Sequence, residues 1–522
     1  MTTQLPKGYA CMPRQKVELG GLSIEALQPR HIESVRQWRN AQIAVLRQST
    51  IIEPEQQEAY YAEHIWPDMP LQHPRNILLA YSEQDRFIGY GGLVHIAWEH
   101  RRAEISFLLD TALAGTPRDH AYHFPQFLKL MKVLAFDDLG LERLCTETYA
   151  VRGHYIVALD GAGFHREGVM RQHVRIDGRP IDAVLHGCLR SEHRAQKAFQ
   201  ESVHGDVLVA SASKKVPLVQ AVQNALRRLD PAAKVIAGDL DEDSPARHVA
   251  EGFWQMPPTD DTAFDELSRG CRERGIRTVI PTRDGELCFW ARNRERFAAA
   301  GIDVLVSPAE SVTTCLDKLA FARFGRERAL PFIPAASHPD ALGEGPFVVK
   351  ERFGAGARGV GLNLDRATAL RHGASLESPI YQPFITGREI SVDAWLDRSH
   401  QVKGLVLRSR DRVVEGESQV TTTFRDSRIE EAAAEVLQLL KLRGPVVMQV
   451  LIDAQGGLHV IECNARFGGA STASIAVGLD VFYWSLLEGC GVDLSDYPFD
   501  RLPGDLRQIR LPGDIHIHGS DF

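Results

Sequence analysis

Between residues 206 and 282 short apolar runs take turns with amphipathic segments, and this alternation constrains the fold more than any other feature of the chain. DVLVAS (206–211), KVIAGDL (234–240) and RTVIPT (277–282) have the length and apolar continuity of buried strands. VPLVQAVQNALRRL (216–229) and FDELSRGCRERG (264–275) repeat their apolar residues at helical spacing. Strands alternating with helices imply crossovers, so the pattern predicts a parallel, doubly wound sheet. Ligands of such sheets sit beyond the carboxyl ends of the strands, where PTRDGEL places Arg283 and Asp284. Both are candidates for substrate contact, and both could equally be ordinary surface charges.

A polar, charged segment from about 190 to 205, RSEHRAQKAFQESVHG, precedes that region and marks a boundary. From about 319 onward the order is less regular: FVVK, a glycine loop, VGLNL, IYQPF, EISVDAWL, QVKGLVLR, a helix over about 429–441, then VVMQVLID and LHVIECN. This reads as an α+β region.

The last two runs are joined by AQGG (454–457), a four-residue hairpin loop. If Asp453 pairs with Leu458, Gln449 stands opposite Glu462, and Asn464 follows on the same face. Met448, Val450, Ile452, Ile461 and Cys463 would then form the core face, with Cys463 a small buried hydrophobe. Carboxylate and amide oxygens are hard ligands suited to Mg²⁺, with Mn²⁺ as the alternative, and Arg466 could bridge phosphate oxygens. A half-exposed hairpin whose polar residues merely meet water is the competing reading.

FVVKERFGAGARGVGLNL carries Gly354, Gly356 and Gly359 in GxGxxG spacing, but a strand follows where a dinucleotide site needs a helix. No Lys-Ser or Lys-Thr follows the glycines, so it is not a Walker loop. A strand, glycine loop and strand make a flap whose backbone can approach phosphates, with Lys350 supplying charge. An ordinary glycine-rich hairpin remains open; a protein kinase flap lacks its HRD-type and DFG partners.

A formal charge of −8 argues against nucleic acid as the main partner, and 44% hydrophobic residues suffice for real cores in roughly three to four domains. Eight dispersed cysteines with no CxxC pair suggest neither disulfides nor zinc and fit a reducing cytoplasm. The start of the chain shows no apolar signal core, and no run of about 18 apolar residues offers a membrane span, so the expectation is a protein without membrane partners.

Together the residues of 206–500 resemble the ATP-grasp superfamily, in particular the carbamoyl-phosphate-synthetase-like branch of carboxylate–amine ligases. The resemblance implies a Rossmann-like pre-ATP-grasp domain over 206–318, an ATP-grasp domain over 319–500 and a tail over 501–522. It implies that Lys318, in TCLDKLAF, and Lys350 reach the nucleotide phosphates under the GAGARG flap. Gln382, Pro383 and Phe384 would meet adenine, and Glu389 the ribose. Gln449, Glu462 and Asn464 match the magnesium ligands and Arg466 the phosphate-contacting arginine, with Arg466 and Lys350 as the catalytic pair. Arg410 is a further candidate for the substrate carboxylate. The implied reaction passes the ATP γ-phosphoryl group to a carboxylate, and an amine displaces the resulting acyl phosphate.

Residues 1–200 are similar to the GNAT acetyltransferases through LSIEALQPRHIESVRQWRNAQ, RFIGYGGLVHIAWEHRRAEISFLLD, FLKLMKVLAFDDLGLERLCTETY and GAGFHREGVMRQHVRIDGRPIDAVLHGCLR. Where that family grips the coenzyme pyrophosphate, this chain has GTPRDHAYHFPQ without a glycine pair, and Leu159 replaces a tyrosine acid. Acetyl-CoA use is therefore left open, and Glu104 is either a proton relay or a strand-edge carboxylate. The expectation is an α/β and α+β multidomain enzyme: a ligase of small carboxylate and amine substrates whose GNAT-like domain handles the amine. Bifunctional acetyl transfer, an acetyltransferase with a regulatory ATP-grasp part, and a docking module are the alternatives; homo-oligomerisation is left open.

Overall fold

The computed structural model describes residues 7–115, 117–202, 205–354 and 359–515. The chain forms two compact units, Met1–Lys197 and Ala198–Phe522. The polar segment expected to separate them is a helix, Arg190–Glu201. Its charged residues read as a linker, but Ala195 and Phe199 lie four apart, so both fall on one face, and both are buried.

The amino-terminal unit is one eight-stranded sheet. Its strands are β1 (Lys16–Leu19), β2 (Leu22–Ala26), β3 (Ile77–Glu83), β4 (Arg86–Ala97), β5 (Arg102–Leu109), β6 (Arg143–Tyr149), β7 (His165–Ile176) and β8 (Arg179–Leu189), in the order 1-2-3-4-5-6-8-7. Only β5 and β6 run parallel, and they pair over just three residues, Arg102↔Arg143 to Glu104↔Cys145. Beyond Glu104 the two strands part, so each exposes unpaired backbone to the gap. Helices Pro117–Lys132 and Gly153–Gly161 pack Phe127, Leu128, Tyr155 and Leu159 into a core with Leu79, Phe107 and Leu144.

The carboxyl-terminal unit opens with five strands: β9 (Asp206–Ala210), β10 (Val235–Asp239), β11 (Gly252–Gln255), β12 (Ile276–Pro281) and β13 (Asp303–Val304). All are parallel, in the order 11-10-9-12-13, as the alternation predicts. The chain reverses direction across the sheet between β9 and β12, and the carboxyl ends of that pair make a crevice. Next come β14 (Phe347–Glu351), β15 (Gly361–Leu364) and β16 (Pro379–Pro383), antiparallel in the order 15-14-16.

The third sheet comprises β17 (Gly387–Leu396), β18 (Val402–Val414), β19 (Glu417–Phe424), β20 (Gly444–Asp453), β21 (Leu458–Asn464) and β22 (Arg507–Ile509), in the order 21-20-17-18-19-22. Helix Ser427–Leu439 buries Ile429, Ala433, Val436 and Leu437 in one core with Ile390, Val392, Met448, Val450 and Cys463 of the sheet. Each such side chain contributes about 1.5–3 kcal/mol, which fixes the register that puts the opposite face toward the ligand side. β22 lies within 501–522, so part of the expected tail is a strand on the edge of β19.

Candidate functional site

The site is built on the ribbon β20–β21. Gln449 stands opposite Glu462, but by a different route from the one the loop suggests. The ladder starts at Ile452↔Leu458, and a bulge between Gln449 and Val450 leaves Ile461 without a partner. Asp453 turns into the loop, where it accepts from the backbone N–H of Gln455 and Gly457. One consequence corrects the expected core face: Val460 is buried and Ile461 only half-buried, because the extra residue shifts the alternation by one. Cys463 is buried as expected, and its thiol meets that of Cys315; this contact, with burial, holds its pKa well above the usual range.

Asn464 lies opposite Val447, beside the Gln449–Glu462 pair, and its amide donates to Glu462 Oε1 at 3.4 Å. Two lysines share the field of Glu462. Lys318 begins helix Lys318–Glu327, capped by Asp317, whose carboxylate accepts from the N–H groups of Leu319 and Ala320. Arg352, at the root of the glycine flap, clamps the same carboxylate at 2.7 and 2.5 Å, and Lys318 Nζ donates to Gly354 O at 2.5 Å. Lys350, on β14, is 8% exposed and, among the described residues, has no carboxylate within ion-pair distance. Burial lowers the pKa of both lysines, and the nearby Glu462 opposes that shift in each. A buried ammonium without a counter-charge is costly unless an anion arrives, so the pair suits polyphosphate.

Glu389 lies on β17, and burial, with Glu462 close by, raises its pKa. Its carboxylate is 3.1 Å from Arg410 Nε, which makes Arg410 an ion-pair partner of Glu389. The hinge residues Gln382 and Pro383 end β16, paired with Val348 and Phe347, and the N–H of Phe384 is already bonded to Pro346 O at 2.9 Å. Gly354 and Gly359 flank the flap, Gly359 at φ +66°, a conformation that favours glycine. Gly356 lies outside the described residues.

At the β9/β12 crevice the structure joins two residues that the sequence treats separately. Arg466 donates to both oxygens of Asp284, at 2.8 and 2.6 Å, linking the loop after β21 to the first turn of helix Asp284–Ala299. Arg283 stays exposed. Sequence reasoning missed Lys215, which donates to Ser211 O at 2.7 Å and to Thr282 Oγ1 at 3.0 Å, and whose pKa burial lowers. It also missed Glu286, fully buried, which accepts from the N–H groups of Thr282 and Arg283.

The largest omission is a buried ion pair. Asp393 on β17 and Arg408 on β18 are each 2% exposed and bonded at 2.5 and 2.9 Å. Ser471 and Ser474, in the segment just after Arg466, donate to the same carboxylate. The pair therefore anchors the loop that carries Arg466. A signal existed: Glu389, Ser391 and Asp393 repeat the spacing of Glu462 and Asn464, three polar residues on one face of an otherwise apolar strand.

Three family descriptions match the chain: the PylC-like, N-terminal domain over 207–305, ATP-grasp in the biosynthetic pathway with Ter operon over 375–509, and the acetyltransferase (GNAT) domain over 24–185. The chain thus carries a region that matches a GNAT domain ahead of regions that match a PylC-like N-terminal domain and an ATP-grasp domain. No curated protein matches it. Among solved structures, the biotin carboxylase domain of 2-oxoglutarate carboxylase from Hydrogenobacter thermophilus, a dimer with MgADP, ADP and bicarbonate, gives a TM-score of 0.50 at 15% identity, covering 59% of this chain and 74% of that one. The L-amino acid ligase from Bacillus licheniformis gives 0.48 at 19% identity, covering 60% and 81%. Biotin carboxylase from Campylobacter jejuni gives 0.49 at 15%, covering 59% and 76%. The Hydrogenobacter likeness places the ATP-grasp region in the same fold as that domain.

In the GNAT domain, Glu104 ends the short parallel pairing of β5 with β6, and Arg47 reaches both Glu104, at 2.8 Å, and Glu147, at 2.9 Å. Leu159 is fully buried, part of the core. No helix among the described residues is long and apolar enough to cross a membrane.

Proposed function

We propose that the ATP-grasp region is an ADP-forming carboxylate–amine ligase working through an acyl phosphate, and that the GNAT domain handles the amine. The observation that carries the reading is Lys350: a buried ammonium without an ion pair among the described residues, sharing the field of Glu462 with Lys318. Gln449, Glu462 and Asn464 would hold Mg²⁺, or Mn²⁺, and Lys318, Lys350 and the flap the phosphates of ATP. When bound, the metal and nucleotide supply a transferable phosphoryl group with its charge neutralised. Residues 382–384 and Glu389 orient the nucleoside.

Lys350 and Lys318 offset charge that builds on the phosphoryl oxygens as the substrate carboxylate attacks. ADP leaves; the amine then attacks the carbonyl carbon, phosphate departs and the amine proton passes to solvent. Arg466, fixed by Asp284, belongs beside the phosphoryl group, and the crevice with Lys215 and Arg283 is where an acidic substrate fits. Positioning is the main contribution of the protein. The substrates are an amino acid or similar small carboxylate and an amine, and eight free thiols suit a reducing cytoplasm.

The test is ATP turnover over a panel of amino acids, other carboxylates including bicarbonate, and amines, with the products weighed by mass spectrometry. ADP and phosphate in equal amounts with an amide product are expected. AMP and pyrophosphate, or ADP release independent of any carboxylate, would overturn the reading.

A further inference from the structure

The GNAT domain contains a cavity of about 670 Å³ where β5 and β6 part. That is within the ordinary range for a small-molecule site and larger than a single amino acid fills. Phe107, Phe124 and Tyr155 line it, and so does Thr146, which is 6% exposed with an Oγ1 that has no hydrogen-bond partner. A buried hydroxyl left unbonded is unusual in a finished core and points to a missing partner.

The charges of the wall are arranged unevenly. Glu104 and Glu147 are bridged by a guanidinium from the chain itself, that of Arg47, which remains half exposed. The other oxygen of Glu147, Oε1, is buried without a hydrogen bond among the described residues, with His173 Nε2 3.3 Å away. Two carboxylates around one guanidinium make this end of the wall locally acidic, although arginines dominate the wall as a whole. Arg152 also lines the cavity; its guanidinium lies 3.6 Å over the Tyr155 ring and, among the described residues, has no carboxylate partner. It donates to the Tyr155 hydroxyl, and burial holds its pKa below the usual arginine range, so it is a guanidinium bonded to a neutral group where a carboxylate would suit it better. Arg39 and Arg75 add to the positive side of the wall.

The helix Pro117–Lys132, the second after β5, is poorly made for a pyrophosphate. It opens with Pro117, which has no N–H to donate, and carries Asp119 in its first turn, where the positive helix end would otherwise attract an anion.

We propose that this cavity binds a zwitterionic amino acid or dipeptide with a surplus acidic group, without a coenzyme. Its ammonium displaces Arg47 from Glu104 and Glu147, and its carboxylate meets Arg152. The inference rests on the part of the functional reading that gives the amine to the GNAT domain, and it assigns Arg47 the role of an internal stand-in for that amine.

Calorimetric titration of the full chain without nucleotide tests it, with L-glutamate, L-alanyl-L-glutamate, glutarate, L-lysine and acetyl-CoA as probes. The expected result is saturable binding of the two glutamate compounds, at least tenfold weaker binding of glutarate and lysine, and none of acetyl-CoA. Glu147→Gln and Arg152→Gln should each weaken the glutamate compounds tenfold or more, Arg152→Lys should restore part of the affinity, and Thr146→Val should weaken it severalfold with an unchanged melting temperature. No binding by any amino-acid probe, glutamate binding untouched by these variants, or saturable acetyl-CoA binding would overturn it. A chain that binds the probes but releases no ADP would keep this proposal and lose the ligase reading; the converse would do the reverse.

Discussion

The two units treat buried ionisable groups in opposite ways. In the amino-terminal unit five buried histidines (31, 120, 123, 186 and 193) are pushed below the ordinary histidine range, burial being the first cause in each, and His120 comes down to about 3. Neither ring nitrogen of His120 has a hydrogen-bond partner. Its carboxylates at the cavity are meanwhile supplied with a cation by the chain. In the carboxyl-terminal unit three of the titratable groups held out of range, Lys318, Lys350 and Glu389, converge on one glutamate. The difference separates neutral groups buried as packing from charges kept apart for a ligand. Perturbation alone does not mark a site; perturbation around convergent groups of both signs does.

The comparison can be broken most sharply at Lys350. Lys350→Met should reduce carboxylate-dependent ADP release by about 10²–10³-fold, in line with the loss of one preorganised donor, while relieving a buried charge and so leaving the melting temperature equal or higher. A large fall in stability with near-normal turnover would mean the lysine is structural. Asp393→Asn is the contrasting case. It leaves Arg408 buried without its counter-charge, and a loss of about 3–5 kcal/mol in denaturant unfolding is expected, together with weaker turnover as the Arg466 loop loosens.

The smallest effect concerns acid. A histidine whose folded pKa is depressed adds stability that is fully present above its unfolded value, about 6.5, and is lost as pH falls toward the folded value. For His120 that window runs from about 6.5 down to about 3. The amino-terminal unit should therefore be the first to become protease-sensitive as pH is lowered from 7 to 4, and His120→Phe should shift its midpoint to lower pH by a few tenths of a unit. Simultaneous loss of both units would remove the contrast.

How much of this the sequence discloses follows from the range of the interactions. Period-two and helical patterns are local, so the strands from 206 to 282, the helix near 429 and the β20–β21 ribbon are legible. The helix at 190–201 was hidden by its charges, since of its three apolar positions only Ala195 and Phe199 are buried. Arg47 with Glu104 and Glu147, Asp284 with Arg466, and Asp393 with Arg408 are pairs 15 to 182 residues apart or spread over three elements. No spacing rule relates them; the fold has to exist before they meet.

Ile461 gives the ribbon a slack position. Because this residue stands outside the ladder, a chain shortened there by one would still set Glu462 across from Gln449 and keep Val460 inward. The same change made anywhere between Ile461 and the turn would swap inside for outside along the strand. Length variation in this hairpin is therefore silent at a single place, and that place adjoins Glu462, the carboxylate on which Lys318, Lys350 and Glu389 converge.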